Sequence, residues 1–223
     1  MRWRFWPFGV RSPFGVRSRW DLTPKGGLTP WRHIRFLVCD AEMSSLDAAT
    51  GSLLSLAWVP VENGAVYPGR GEHRLVRPDG AVGDSATIHG IRDLDSAAGE
   101  DAGAVLDAFL DAAKGRVLVF HYAPLDLAFL NRLSRDRSGS SLSLPVVDTL
   151  ERERRRRQRR GQVYAPGDLT LQGCRRHYGL PDYPAHNALS DALATAELLL
   201  AQLVHAGEDV TLRDLVGSGP IGT

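Results

Sequence analysis

Apolar positions along the chain fall into two rhythms, and the change from one to the other lays out the fold. Residues 33–41, built around the apolar run Phe36-Leu37-Val38-Cys39, read as a central strand. Residues 53–61 and 72–76 read as two more strands, with Asn63-Gly64 as the turn between them. From 101 to 113 the spacing becomes helical: Val105, Leu106, Phe109 and Leu110 share one face, and Gly115 follows as a stop. Residues 116–122, "RVLVFHY", return to strand character, and Pro124 opens a helix at its first turn, where proline is tolerated. "LPVVDT" supplies a short fifth strand, and helices are expected over about 150–160, 168–178 and 187–206. Strands joined by turns and then alternating with helices predict an α/β domain around one mixed five-stranded sheet.

Composition refines this picture in three places. With 223 residues, the chain suits one domain with tails. The expected boundaries are an extension over 1–31, a domain over 32–207 and a short tail over 208–223. The net charge of +1 hides an uneven distribution. Residues 1–35 carry eight basic residues and one acid, residues 36–150 nine and sixteen, and residues 151–223 ten and nine. An acidic middle between basic flanks suits a protein that gathers cations at one site and polyanions around it. In the extension, Pro-Phe-Gly-Val-Arg-Ser occurs twice in tandem, at 7–12 and 13–18, with arginine and aromatic residues interleaved. It reads as a poorly ordered arm whose aromatics dock on the domain; a nucleic-acid or membrane-surface contact is the sharper alternative. Cys39 and Cys174 lie inside apolar or helical patterns without metal-type spacing, as reduced residues of a cytoplasmic protein do. No signal-peptide core and no membrane span is expected.

The candidate chemistry begins at the end of the first strand. Asp40 and Glu42 are separated by one residue, so a strand points both carboxylates the same way. Like charges placed side by side destabilise each other unless a cation lies between them. Asp126 follows another strand, in the first turns of a helix, and Asp191 stands among small apolar residues on the last long helix, five residues after His186. Each alone has an ordinary explanation. An aspartate in a first turn complements the helix dipole, and a histidine at a helix entrance often only caps or packs. Together, four carboxylates from two strand ends and two helices are what hard divalent cations take. Two such ions would clamp the attacking and leaving oxygens of an in-line displacement at phosphorus.

These segments resemble the three motifs of the DEDDh (DnaQ-like) 3′–5′ exonucleases, a family with a ribonuclease-H-like fold. The first motif is Asp40-Ala41-Glu42, the second His121-Tyr122-Ala123-Pro124-Leu125-Asp126, and the third His186 followed by Asp191. Ile88-His89-Gly90-Ile91 and Val146-Val147-Asp148-Thr149-Leu150 match stretches common between the motifs, and the resemblance spans about residues 33–206. It implies that Asp40, Glu42, Asp126 and Asp191 hold two Mg²⁺ or Mn²⁺ ions and that His186 is the general base. It also implies that Met43, Ser44, Ser45, His89 and His121 line the substrate pocket. The implied substrate is the 3′ end of single-stranded DNA or RNA, with DNA favoured and nucleoside 5′-monophosphates released. Three departures bear on substrate choice: Met43-Ser44-Ser45 replaces Thr-Thr-Gly, Tyr122 replaces the usual asparagine, and Leu125 the usual phenylalanine.

"ERERRRRQRRG", residues 151–161, supports two readings. It is either a solvated helix with Glu151–Arg155 and Glu153–Arg157 pairs, or an excess of positive charge that attracts a phosphate backbone. Alternatives to a free-standing exonuclease are a polymerase proofreading subunit with a polymerase partner, an oligoribonuclease-like RNA exonuclease, and a non-catalytic nucleic-acid-binding module. Only a short segment follows the last helix, which favours the free-standing enzyme. The presence of all five catalytic residue types argues against the binding module.

Overall fold

The computed structural model describes residues 26–77, 99–183 and 187–216. The hexapeptide repeat, His89 and His186 lie outside them. The described strands are β1 (Phe36–Met43), β2 (Leu53–Glu62), β3 (Ala65–Val66), β4 (Glu72–Leu75), β5 (Val117–Phe120) and β6 (Val146–Asp148). The helices are α1 (Ala102–Ala113), α2 (Ala123–Ser138), α3 (Thr149–Arg159), α4 (Leu171–His177), α5 (Ala188–Ala206) and α6 (Leu212–Val216).

The strands form one mixed sheet in the order β3-β2-β1-β5-β6, with β4 pairing β2. Central β1 pairs antiparallel with β2 and parallel with β5, and β5 pairs parallel with β6. Among the described residues the sheet has six strands where five are expected. Asn63-Gly64 turns β2 into the two-residue strand β3, and β4 joins β2 only after a 3-10 turn at Pro68–Arg70. Two residues are too few to show an alternating pattern, so β3 carries no sequence signature. Asn63 and Gly64 both have positive φ, 53° and 73°, which favours those residue types at that turn.

Strand periodicity sorts the core into two layers. Leu37, Cys39, Ala41 and Met43 face α1 and α2 and pack with Phe109, Leu110, Phe129 and Leu130. Phe36 and Val38 face the other way and pack with Ala196, Leu199 and Leu203 of α5 and Leu212 and Leu215 of α6. The next two residues on that second face are Asp40 and Glu42. Ala188, Ala192 and Ala196 are fully buried, so small side chains let α5 lie close against β1 and β2.

Within the segment expected as a tail, residues 208–216 pack onto the sheet. Trp31 donates its backbone N–H to Val210 (2.8 Å) and its indole N–H to Gly207 (3.2 Å), and Leu212 donates to Thr29 (3.0 Å). Leu212 is fully buried. We therefore expect Leu212→Ala to destabilise the protein by about 2–5 kcal/mol, the cost of emptying a core leucine site. Urea unfolding should show a lower midpoint with an unchanged slope.

Candidate active site

The acidic site forms where β1 ends. Because β1 and β5 run parallel, the connections leaving their carboxyl ends meet there, which is where open α/β sheets place ligands. The chain leaves β5 at Phe120 and enters α2 three residues later, so Asp126 arrives beside the end of β1. A bulge between Glu42 and Met43 ends the regular pairing with β2. From above this face, α5 lowers Asp191 in its first turn, and Asn187 caps that turn by accepting from the Ser190 N–H at 3.1 Å.

Asp40, Glu42 and Asp191 each offer a carboxylate oxygen within 4.8 Å of the other two. Asp126, 6% exposed, is not part of that three-residue group but is electrostatically joined to it. Burial raises the Asp40 carboxyl well above its usual range, and Asp126, Asp191 and Glu42 add to the rise. Burial and Asp191 bring Glu42 to about 7. Burial also raises Asp126, although backbone hydrogen bonds at Asp126 itself and Ala41 pull it partly back. The donor set is all carboxylate oxygen, which fits hard divalent cations and not soft, thiolate-seeking ones. Cys39, directly before Asp40, is buried, and its thiol is held well above its ordinary range, chiefly by burial. Ionisation of that thiol, and with it metal ligation, is therefore disfavoured.

Two of the expected substrate residues, Met43 and His121, make contacts within the protein. Met43 is 7% exposed and belongs to the apolar core, because the strand alternation that aims Glu42 at α5 turns Met43 to the α1–α2 face. His121 is committed to the protein. Its Nε2 lies 3.0 Å from the Leu169 carbonyl and its Nδ1 2.8 Å from the Thr149 hydroxyl. A carbonyl only accepts, so Nε2 carries the proton and Nδ1 accepts in a neutral ring. Burial lowers the His121 pKa and favours that neutral form. The ring thus ties β5 to α3 and to the loop before α4. Ser44 and Ser45 remain half-exposed beside the acids. Ser44 Oγ accepts from the Ser52 N–H (2.8 Å) and Ser45 Oγ from the Asp47 N–H (3.1 Å). These bonds shape the turn that carries both hydroxyls.

Three supporting residues escape a linear reading. Asp148 accepts from the N–H groups of Leu150 (2.9 Å) and Glu151 (3.2 Å) at the start of α3. It also accepts from Tyr122 (3.1 Å) and Ala123 (3.0 Å) at the start of α2. An aspartate before a helix signals the first pair, but no local pattern signals the second. Tyr122 needs that help, since it caps α2 in the left-handed region (φ 73°), which costs a non-glycine residue roughly 1 kcal/mol or more. Arg132 of α2 pins the turn after Glu42 through the carbonyls of Ala48 and Gly51 (2.8 Å to Gly51). Arg175, buried, donates to Ala194 (2.6 Å), Pro181 (2.7 Å) and Glu197 (2.8 Å), while Tyr183 also donates to Glu197 (2.9 Å). This cluster fixes residues 181–183 against α5 on the approach to Asn187.

The expected ion pairs of α3 are present. Glu151 binds Arg154 and Arg155, and Glu153 binds Arg156 and Arg157. Among the described residues no helix is long and apolar enough to cross a membrane.

Comparison with known proteins places this geometry. The family model RNase_T, described as Exonuclease, matches residues 37–199, which run from β1 into α5. The chain is 31% identical over 180 residues to a DNA polymerase III subunit epsilon-like protein of Rhodobacter capsulatus, covering 78% of this chain and 24% of that protein. It thus spans about a quarter of that relative's length. It is 26% identical over 176 residues to a DNA polymerase III subunit epsilon of Aquifex aeolicus, covering 74% of this chain and 78% of the relative. The fold matches that of E. coli exonuclease I in complex with a dT13 oligonucleotide, with a TM-score of 0.62 at 19% identity, covering 77% of this chain and 41% of that one. Family membership and the acidic cluster together imply dependence on a divalent metal. By the extent of the match from the first strand to the last long helix, the chain belongs to the RNase_T exonuclease family.

Proposed function

We propose that the protein is a 3′–5′ exonuclease that releases nucleoside 5′-monophosphates from single-stranded nucleic-acid ends, DNA more readily than RNA. The observation that carries this reading is the group of three carboxylates, Asp40, Glu42 and Asp191, gathered within 4.8 Å where the family match begins and ends. Asp40, Glu42 and Asp191, with Asp126, would hold two Mg²⁺ or Mn²⁺ ions. Bound there, such ions supply a lowered pKa for the attacking water and charge neutralisation at the scissile phosphate. His186 takes the proton of that water, as a near-neutral imidazole can. The water attacks the terminal phosphorus in line, and the 3′-oxygen of the preceding nucleotide leaves. Ser44 and Ser45, on the turn beside the acids, contact the terminal nucleotide, a role supported by their half-exposed position.

A second reading, a proofreading subunit with a polymerase partner, is supported by the names of the two curated relatives. Co-purification of a polymerase with the full chain would favour it.

Asp40→Asn and Asp191→Asn should each lower nucleotide release from a 5′-labelled single strand by at least about a thousandfold, since each removes several kcal/mol of charge stabilisation. Undiminished release in both would overturn the proposal. For His186→Ala we expect a large loss of turnover while metal affinity, read by calorimetry, is retained.

The raised carboxyls also set a pH dependence. Glu42 has a folded pKa of about 7 against an ordinary 4.5, so the metal-free native state holds a proton that the unfolded chain releases. That stability is present below pH 4.5 and is lost as pH rises through 7. The melting temperature of metal-free protein should therefore fall across this window. Saturating Mn²⁺ should restore it, with a larger upward shift above pH 7 than below pH 5. Asp40→Asn should flatten the pH dependence and abolish most of the Mn²⁺ shift, as differential scanning fluorimetry will show.

A further inference from the structure

A cleft of about 880 Å³ runs along α3. Its walls include Tyr122, Arg152, Arg155, Arg159, Arg160 and His205. The charge on this helix is not balanced. Seven arginines lie between 152 and 160 against Glu151 and Glu153, and those two carboxylates are shared among four guanidiniums. Among the described residues, Arg152, Arg159 and Arg160 form no ion pair with a carboxylate. Arg152 is also desolvated: its Nε is buried and has no hydrogen-bond partner among the described residues. Burial, with Arg159 adding repulsion, lowers its pKa to about 10. An anion in the cleft would give that group its partner.

The aromatic wall adds a second observation. Tyr122 is 52% exposed and sits in a backbone conformation that bulky residues avoid. Asp148, which holds it there, also starts α3, so the ring and the arginine face are fixed by one carboxylate. Tyr122 precedes Asp126 by one helical turn, about 6 Å along the α2 axis. The cleft therefore starts close to the metal-binding carboxylates and extends away from them along α3, about 16 Å for its 11 residues.

We propose that this cleft is the path of the substrate strand upstream of the scissile bond. Tyr122 stacks on a base, and Arg152, Arg159 and Arg160 neutralise successive phosphates. An aromatic platform beside a cationic groove is the arrangement that holds single strands without reading their sequence. The inference rests on the exonuclease reading and adds to it a strand-binding surface on a helix that bears none of the catalytic residues.

The test uses the full chain carrying Asp40→Asn, so that the strand is not cut, and fluorescence anisotropy of a labelled single-stranded oligonucleotide at several salt concentrations. Arg159→Gln/Arg160→Gln should weaken binding at least fivefold and reduce the slope of log affinity against log salt by about 1.4, some 0.7 for each phosphate left without its cation. Tyr122→Asn removes the ring and puts a residue that tolerates positive φ in its place, so misfolding does not confound it. It should weaken binding about fivefold or more, while Tyr122→Phe should bind as before. Arg135→Gln, on the far end of α2, serves as the charge control and should leave the slope unchanged. Unaltered affinity and slope in the arginine and Tyr122→Asn variants would overturn the proposal, and a cleft for an acidic protein would then be the better account. If the wild-type chain cleaves no nucleic acid, the exonuclease reading fails, while the binding measurements still decide the role of the cleft.

Discussion

The structure depends on keeping several carboxylates together in a place where they repel one another. At 4.8 Å and an effective dielectric constant of 20, each ionised pair costs on the order of 3 kcal/mol. No side chain can relax away easily. Asp40 and Glu42 are set by strand alternation in the central strand of the sheet, and Asp191 rides on a helix whose alanines hold it against that strand. The apolar packing on both faces therefore works as a clamp, and protons or a divalent cation relieve the charge. A protein interior of organic-crystal density is stiff enough to sustain such crowding.

The same two-residue alternation explains why neighbours along β1 have such different roles. Cys39, Ala41 and Met43 pack into the layer with α1 and α2, while Asp40 and Glu42 enter the layer with α5. Substituting one residue type for another here changes only that side chain, but slipping the register by one would exchange core and site wholesale. The antiparallel pairing of β1 with β2 over eight residues guards against that slip.

Much of this is legible in the sequence. The long elements announce themselves through periodicity, and Asp40, Glu42 and Asp191 through their place at the ends of such elements. The parts that are not legible depend on contacts between segments distant in the chain. Nothing near His121 signals that Leu169 and Thr149 occupy both of its nitrogens. Met43 reads as a continuation of the acidic motif, although its parity in the strand already assigns it to the core. The five-residue helix α6, which packs in one layer with Trp31 and Ile34, is brief and follows a polar stretch, so its two leucines show no readable period. Arg132 and Arg175 resemble any other arginine on a helix until the carbonyls that they hold are seen.

The four-donor cap at Asp148 ties two helices to one strand. The start of α2 is complete only when β6 has docked beside β5 and delivered that carboxylate, and the start of α3 draws on the same side chain. The position of Asp126 therefore depends on the strand at the sheet's edge as well as on its own helix. One carboxylate thus links the helix that carries Asp126 to the helix that carries the arginines, and neither can be re-aimed without disturbing the other.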